Sequence, residues 1–395
     1  MFMKKNLKIA IIVPFYVPYP GGQEVHTKFL VDHLRSFDVE ITVITTNKPK
    51  WRSMEIDGNV KIIRLKRTFE AYNNPFCVGL FQTLLKIDAD IFHVQGYWST
   101  FANIAAIVAR LRNIPLIYTS HGFQQNLYKR GLLGRLFVQF YLKILGGIMF
   151  RTMKAITCNH AEDSSTLKKL GIKEEKIHMI PTGINVIYYV NGVNRISNQD
   201  VHAFRTKNQL SWPILYYIGR LIQRKGCHFL LKTMPTILAR FPNAKLIVVG
   251  DGPEEENFHK LAKELHIQDH ILFTGYVKPL SKNHLIFYKF VDVQILPSFS
   301  ESMPIVIMEG LLFGIPQIVT DRHFAKWIRY REEPLYIPIN PTNTSEFAEK
   351  IISLLENEAY RQKIKVIGPE FVKNELDWTK LARKIYVIYQ KYVNN

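Results

Sequence analysis

Short apolar runs, each followed by a stretch long enough to be a helix, recur along the whole chain and limit what it can fold into. In the first half they are Lys8 to Val13, Glu40 to Thr45, Val60 to Leu65, Ile91 to Val94, Leu116 to Thr119, Ala155 to Cys158 and Ile177 to Ile180. In the second half they are Ile214 to Ile218, Lys245 to Val249, His270 to Phe273, Val291 to Leu296 and Gln317 to Val319. Parallel strands need helical crossovers and are buried on both faces, so this alternation predicts an α/β architecture of doubly wound parallel sheets. At 395 residues the chain exceeds one ordinary core and is expected to divide in two. The polar, Asn-rich passage Asn191 to Asn208 reads as a linker, which gives domains over residues 1–193 and 194–375.

Open sheets of this kind bind ligands beyond the carboxyl ends of their strands. Glu301 lies in such a place, in a Ser/Pro-rich turn after the run Val291 to Leu296. The segment from Met303 to Phe313 is apolar on every side, as a buried helix is, yet it carries Glu309. A buried carboxylate needs a hydrogen-bonding partner, and either a pair of sugar hydroxyls or a core Lys or Arg would serve. The amides at the start of that helix, those of Met303 and Ile305 since Pro304 has none, are expected to suit a phosphate. Carboxylates for hydroxyls and amides for phosphate suggest a nucleotide sugar. A glycosidase acid/base pair fits less well: a strand-end turn and a buried helix hold the two carboxylates at different depths, and the phosphate-binding elements would be idle.

Other turns follow strands in the same way. Arg220 and Lys225 come after Ile214 to Ile218, where two cations could offset charge on a leaving diphosphate. Gly250-Asp251-Gly252-Pro253 closes the strand Leu246 to Val249; it lacks the third glycine of a dinucleotide fingerprint, and alone it reads as a tight turn. Gly21 and Gly22 follow the first strand, where backbone amides can approach a diphosphate or the reacting sugar. His121 follows Leu116 to Thr119, whereas His26 is expected to pack beneath the glycine loop and His93, inside its strand, to be structural. Asp88-Ala89-Asp90 has a metal-binding D-x-D pattern but precedes its strand, at the end away from the ligand, and is read as turn chemistry.

The run Glu301-Ser-Met-Pro-Ile-Val-Ile-Met-Glu309-Gly-Leu-Leu-Phe-Gly314-Ile-Pro316 resembles the E-x7-E signature of family 4 retaining glycosyltransferases. Gly21-Gly22-Gln-Glu-Val-His26, His121-Gly122, Gly219-Arg220-Leu221, Lys225-Gly226 and Gly250 to Pro253 fall in that family's order, so the resemblance covers nearly the whole chain. It implies the GT-B fold, two facing Rossmann-like domains with a deep cleft, and a last helix within 376–395 that crosses back onto the first domain. It also implies that Glu309 binds the ribose, Glu301 the donor sugar, Arg220 and Lys225 the diphosphate, and that His121 lies near the donor sugar. The segment Gly275-Tyr276-Val277 would border the nucleobase, and the enzyme would be metal-independent. The sequence departs from the family at Asp321 to Trp327, where a glycine pair and Pro-Glu are usual.

The net charge is +19, and no Asp or Glu occurs from Ile91 through Ala161. Basic and apolar residues interleave over 110–154, a composition that suits an anionic membrane surface. No nucleic-acid recognition motif accompanies the charge. The start, Lys4-Lys5 followed by Leu7 to Val17, imitates a signal peptide, but Lys8, Pro14 and Pro18 interrupt it and no cleavage site follows. With three cysteines lacking metal spacing, the chain is expected to be cytoplasmic, peripheral on the inner membrane face. The expected function is transfer of a sugar from a UDP- or GDP-sugar to a lipid-linked or growing glycan acceptor, with no cofactor. A same-fold nucleotide-sugar epimerase and a non-catalytic partner of a transferase are the alternatives.

Overall fold

The computed structural model describes residues 6–19, 21–48, 51–71, 74–96, 99–121, 149–159, 161–301, 303–322 and 325–393. The chain forms two compact units, Met1–Gly183 with Trp378–Asn395, and Ile184–Asp377.

Unit one carries β1 (Leu7–Ile12), β2 (Val39–Thr46), β3 (Met54–Asp57), β4 (Val60–Leu65), β5 (Phe69–Ala71), β6 (Asn74–Phe76), β7 (Ile91–Gln95), β8 (Leu116–Thr119), β9 (Ala155–Cys158) and β10 (Ile177–Met179). Eight of them form one sheet in the order β10-β9-β8-β7-β1-β2-β4-β3, parallel except where β3 pairs antiparallel with β4. Strands β7, β8 and β9 are buried throughout, which is why their sequences read as continuous rather than alternating apolar runs. After β1 the chain builds toward β2 and β4 and then returns to the other side at β7, so the strand order reverses between β1 and β7. The C-terminal helix Trp378–Val393 packs its buried stripe, Trp378, Leu381, Ile385 and Tyr389, on this unit with Ile9, Ile11, Leu30 and Leu34. Each large side chain so buried is worth about 2–3 kcal/mol.

Unit two repeats the architecture with β11 (Ile214–Ile218), β12 (Lys245–Val249), β13 (Ile271–Gly275), β14 (Val293–Leu296), β15 (Gln317–Thr320), β16 (Arg329–Tyr330), β17 (Glu333–Pro334) and β18 (Tyr336–Ile339). Its six-stranded sheet, β13-β12-β11-β14-β15-β18, is wholly parallel and reverses between β11 and β14. The helix Ile305–Leu312 lies against it with Ile307 to Leu312 all buried.

The passage Asn191 to Asn208 is not a linker. It holds the end of the helix Val186–Asn194 and the helix Asn198–Lys207, and the units divide at Gly183 and Ile184 instead. Polar residues that suggested a linker are caps: Ser197 and Asp200 form a reciprocal capping box, and the Asn208 side-chain amide donates to the Phe204 carbonyl at 2.8 Å. Strand β18 escapes sequence reading because Pro338 interrupts it, and it is tolerated because β18 is an edge strand. Among the described residues no helix is long and apolar enough to cross a membrane. Most of the basic amphipathic stretch 110–154, residues 122–148, lies outside the described residues. Within the rest, the Arg112 guanidinium is used internally, donating to the Leu84 and Ile87 carbonyls at 2.9 and 2.6 Å.

Candidate active site

Each unit gathers its predicted site residues at the carboxyl end of its sheet, beside the strand-order reversal, where flanking loops splay apart and leave room for a ligand. In unit two the loop after β11 runs into a 3-10 turn, Gln223–Lys225, and the loop after β14 leads to Glu301. Lys225 Nζ forms an ion pair with Glu301 Oε1, both side chains largely buried at 16% and 10% exposure. The pairing follows from backbone stitching between the loops. Arg224 donates to the Ser300 carbonyl at 2.8 Å, and the Phe299 amide donates to the Arg224 carbonyl at 2.9 Å. Gly226, at φ +73°, brings its α-carbon so close to Pro297 that a Cβ would stand 2.1 Å from the Pro297 carbonyl oxygen. Arg220 is exposed at the start of the same loop. Gly250 packs equally tightly on the Gly219 carbonyl, and the amide of Leu221 bonds the Asp251 carbonyl at 2.7 Å, so the Gly250–Gly252 turn supports the β11 loop. Val277 follows β13, half-buried against the core.

The helix Ile305–Leu312 follows Met303 and Pro304, and no side chain caps its N-terminus. Four residues in, Glu309 is 4% exposed. Its partner is neither a core Lys nor Arg. The Tyr189 hydroxyl donates to Oε1 and the Tyr288 hydroxyl to Oε2, the latter at 2.5 Å. His284 Nε2 lies 3.6 Å from Oε2 and 3.2 Å from the Tyr288 hydroxyl, while its Nδ1 accepts from the Leu280 amide. Burial first, and then the nearby Glu309 charge, push the phenols of Tyr189 and Tyr288 well above their usual range, so both stay protonated donors.

In unit one the helix Gly22–Leu34 starts directly after Gly21, with no side-chain cap over its amides. Gln23 reaches from it to the Gln95 carbonyl at 2.8 Å, at the end of β7. His121 Nε2 bonds Gln95 Oε1 at 2.9 Å, and the Gln95 amide nitrogen lies 3.1 Å from His93 Nε2, whose Nδ1 meets the Tyr389 hydroxyl at 2.5 Å. With the amide nitrogen donating to His93, the network sets the proton of His121 on Nε2 and leaves Nδ1 as an acceptor. Burial holds His121 down to about 4 and His93 to about 3, so both are uncharged at neutral pH. His26 is buried edge-on between His121 and Trp378, ring centroids 4.8 Å from each. Asp88 and Asp90 are taken by Lys8, through its ammonium at 2.5 Å and its amide at 2.9 Å, closing the turn into β7.

The structure thus joins Glu301 to Lys225 within unit two and His121 to the Gly21–Gly22 region within unit one. Sequence reading missed Gln95, Arg224, Tyr189 and Tyr288, which act through side-chain contacts no local pattern announces.

Two doubly wound sheets of this order, with a switch-point ion pair and one buried carboxylate on an apolar helix, fit the GT-B glycosyltransferases. Family models agree: "Glycosyltransferase Family 4" matches residues 20–187 and "Glycosyl transferases group 1" residues 198–371. An uncharacterized glycosyltransferase of Haemophilus influenzae is 32% identical over 286 residues, 71% of each chain. Phosphatidyl-myo-inositol mannosyltransferase of Mycobacterium leprae is 22% identical over 397 residues, 97% of this chain and 96% of that one. Among solved structures, Anabaena HepE in complex with UDP-glucose superposes with a TM-score of 0.74 at 16% identity, covering 98% and 100% of the two chains. The chain belongs to the family 4 glycosyltransferases.

Proposed function

We propose that this glycosyltransferase moves a sugar, with retention of anomeric configuration, from a UDP- or GDP-sugar to a hydroxyl of a lipid-linked or growing glycan acceptor at the cytoplasmic membrane face. The observation that carries the reading is the Lys225–Glu301 pair at the switch point of unit two, beside exposed Arg220 and an uncapped helix start. Lys225 and Arg220 meet the diphosphate and offset the charge that builds on it as the sugar departs. They supply the positive charge that a metal provides in other transferases, so no metal is needed. Glu301 keeps acceptor capacity beyond the oxygen that Lys225 takes, enough for sugar hydroxyls. Glu309 accepts the ribose hydroxyls, and within unit two Met303, Ile305 and the Gly250–Gly252 turn line the phosphates, with Val277 at the base; in unit one the Gly21–Gly22 turn offers backbone amides to a polar ligand. His121, neutral with a free acceptor nitrogen, hydrogen-bonds a sugar hydroxyl rather than delivering a proton. The departing phosphate takes the acceptor's proton on the same face, which accounts for retention without a second carboxylate nucleophile.

Support for the donor comes from the UDP-glucose complex of the structural neighbour, and for a lipid acceptor from the phosphatidyl-myo-inositol named for the mycobacterial relative. The acid-free stretch from Ile91 through Ala161 favours an anionic membrane. Calorimetry with UDP-, GDP-, ADP- and dTDP-sugars, run on wild type and Glu301→Ala, tests the reading. Saturable binding of one donor, weakened at least about tenfold by the substitution, is expected. A folded protein that binds none of them refutes it.

A further inference from the structure

Glu309 sits where three separate elements converge. The helix Val186–Asn194 supplies Tyr189, the 3-10 turn Ile286–Lys289 supplies Tyr288, and the one-turn helix Lys282–Leu285 supplies His284. Each carboxylate oxygen accepts from a different phenol, and the phenols approach from elements about a hundred residues apart in sequence from one another. His284 takes the Leu280 amide on Nδ1, so its Nε2 proton faces the Tyr288 hydroxyl, which accepts it while donating to Glu309. The result is a directed chain of donors that fixes the carboxylate plane. A carboxylate has about four acceptor sites, and the two phenols use one on each oxygen. One acceptor site per oxygen remains, two in all, the number that the two hydroxyls of a vicinal diol can fill. With 4% of Glu309 exposed, a ligand could meet only an edge of the group, and that edge must point correctly before the ligand arrives.

We propose that Tyr189 and Tyr288 are positioning residues of the nucleoside site: they clasp Glu309 so that its two remaining lone pairs present to the ribose diol, making the enzyme selective for ribonucleotides over 2′-deoxyribonucleotides. The inference rests on the reading of Glu309 as the ribose acceptor, and it assigns to the two phenols a role in selectivity distinct from their role in the core.

The test measures Kd by calorimetry for UDP, GDP and ADP, each beside its 2′-deoxy counterpart, on wild type, Tyr189→Phe, Tyr288→Phe, Glu309→Gln and the double variant Tyr288→Phe/Glu309→Gln. The best-binding ribonucleotide should bind wild type about tenfold tighter than its deoxy partner. Each Tyr→Phe should cut that ratio about three- to tenfold while leaving the deoxy affinity within about twofold. Glu309→Gln should abolish most of the ratio, and adding Tyr288→Phe to it should change little more, since the phenol acts through the carboxylate. The deoxy ligand doubles as a check that a variant still folds around the nucleotide. If both phenylalanine variants keep the wild-type ratio, or lose affinity equally for both sugars, the tyrosines are merely structural and the inference fails alone. A wild-type ratio near one would overturn it together with the ribose role of Glu309, and binding of no nucleotide would overturn the donor reading itself.

Discussion

The two units use one topology to build sites of opposite electrical character. Unit two places charge at its switch point: a largely buried Lys225–Glu301 pair, exposed Arg220, and Glu309 clasped by phenols. Unit one places uncharged rings and amides there, His121, Gln95 and His93 in series with Tyr389. A parallel sheet fixes where a site lies and leaves its chemistry to the loops. On the function proposed above, the charged site takes the charged part of a donor, and the neutral site takes hydroxyls that must be oriented and not ionised.

The sharpest way to break this contrast is to remove the charge of unit two. Lys225→Ala should lower kcat by about 10²–10³, since it strips charge from the leaving group and leaves Glu301 without its partner. Steady-state assays with the donor identified by calorimetry check it, and a loss under fivefold would show that Arg220 and the helix start suffice. Gly226→Ala comes next. Its Cβ would meet the Pro297 carbonyl oxygen at 2.1 Å from a left-handed backbone, so the two loops must separate. A stability loss of about 2–4 kcal/mol in urea unfolding is expected, with donor affinity falling alongside it.

On the neutral side the prediction concerns pH. His93 is wholly buried and its folded value, about 3, lies below the ordinary 6.5, so the uncharged ring favours the folded state. That contribution is complete above pH 6.5 and is lost as pH falls from 6.5 toward 3, on the order of 5 kcal/mol in all. Thermal melting between pH 7 and 4 should show a steep fall in Tm, and His93→Asn should flatten it even if its Tm at pH 7 is lower. The smallest effect is expected at Gln95→Leu. Freed from its amide partner, His121 can adopt either tautomer, so kcat should fall about threefold to tenfold while donor Kd stays within about twofold. An equal loss in both would show that Gln95 serves the loop and not the ring.

Much of this fold was open to sequence reading, because strands buried on both faces leave unbroken apolar runs and every one of the twelve runs became a strand within a few residues. The placement of Glu301, Lys225 and His121 was also legible, since each lies in the loop that follows a strand, β14, β11 and β8. What stayed hidden depends on partners far apart in the chain. Tyr189 and Tyr288 are ordinary core-type residues until Glu309 is seen between them, and Arg224 looks like any loop arginine until Ser300 receives it. The misread linker had a local clue, Ser197 three residues before Asp200, that composition outweighed.

The order of synthesis inherits a constraint from the way unit one is closed. Its sheet is finished by β10 at Met179, but Trp378 and Tyr389, which cover His26 and bond His93, are made only after the whole of unit two. Unit two lies wholly between, and the residues at its two ends meet, the Ile184 amide bonding the Leu376 carbonyl at 2.8 Å. A ribosome therefore releases a complete second module while the first still exposes the apolar face that the final helix will cover. Unit one is begun before unit two and completed after it, so until Trp378 to Val393 emerge its sheet keeps exposed the apolar face that the helix covers.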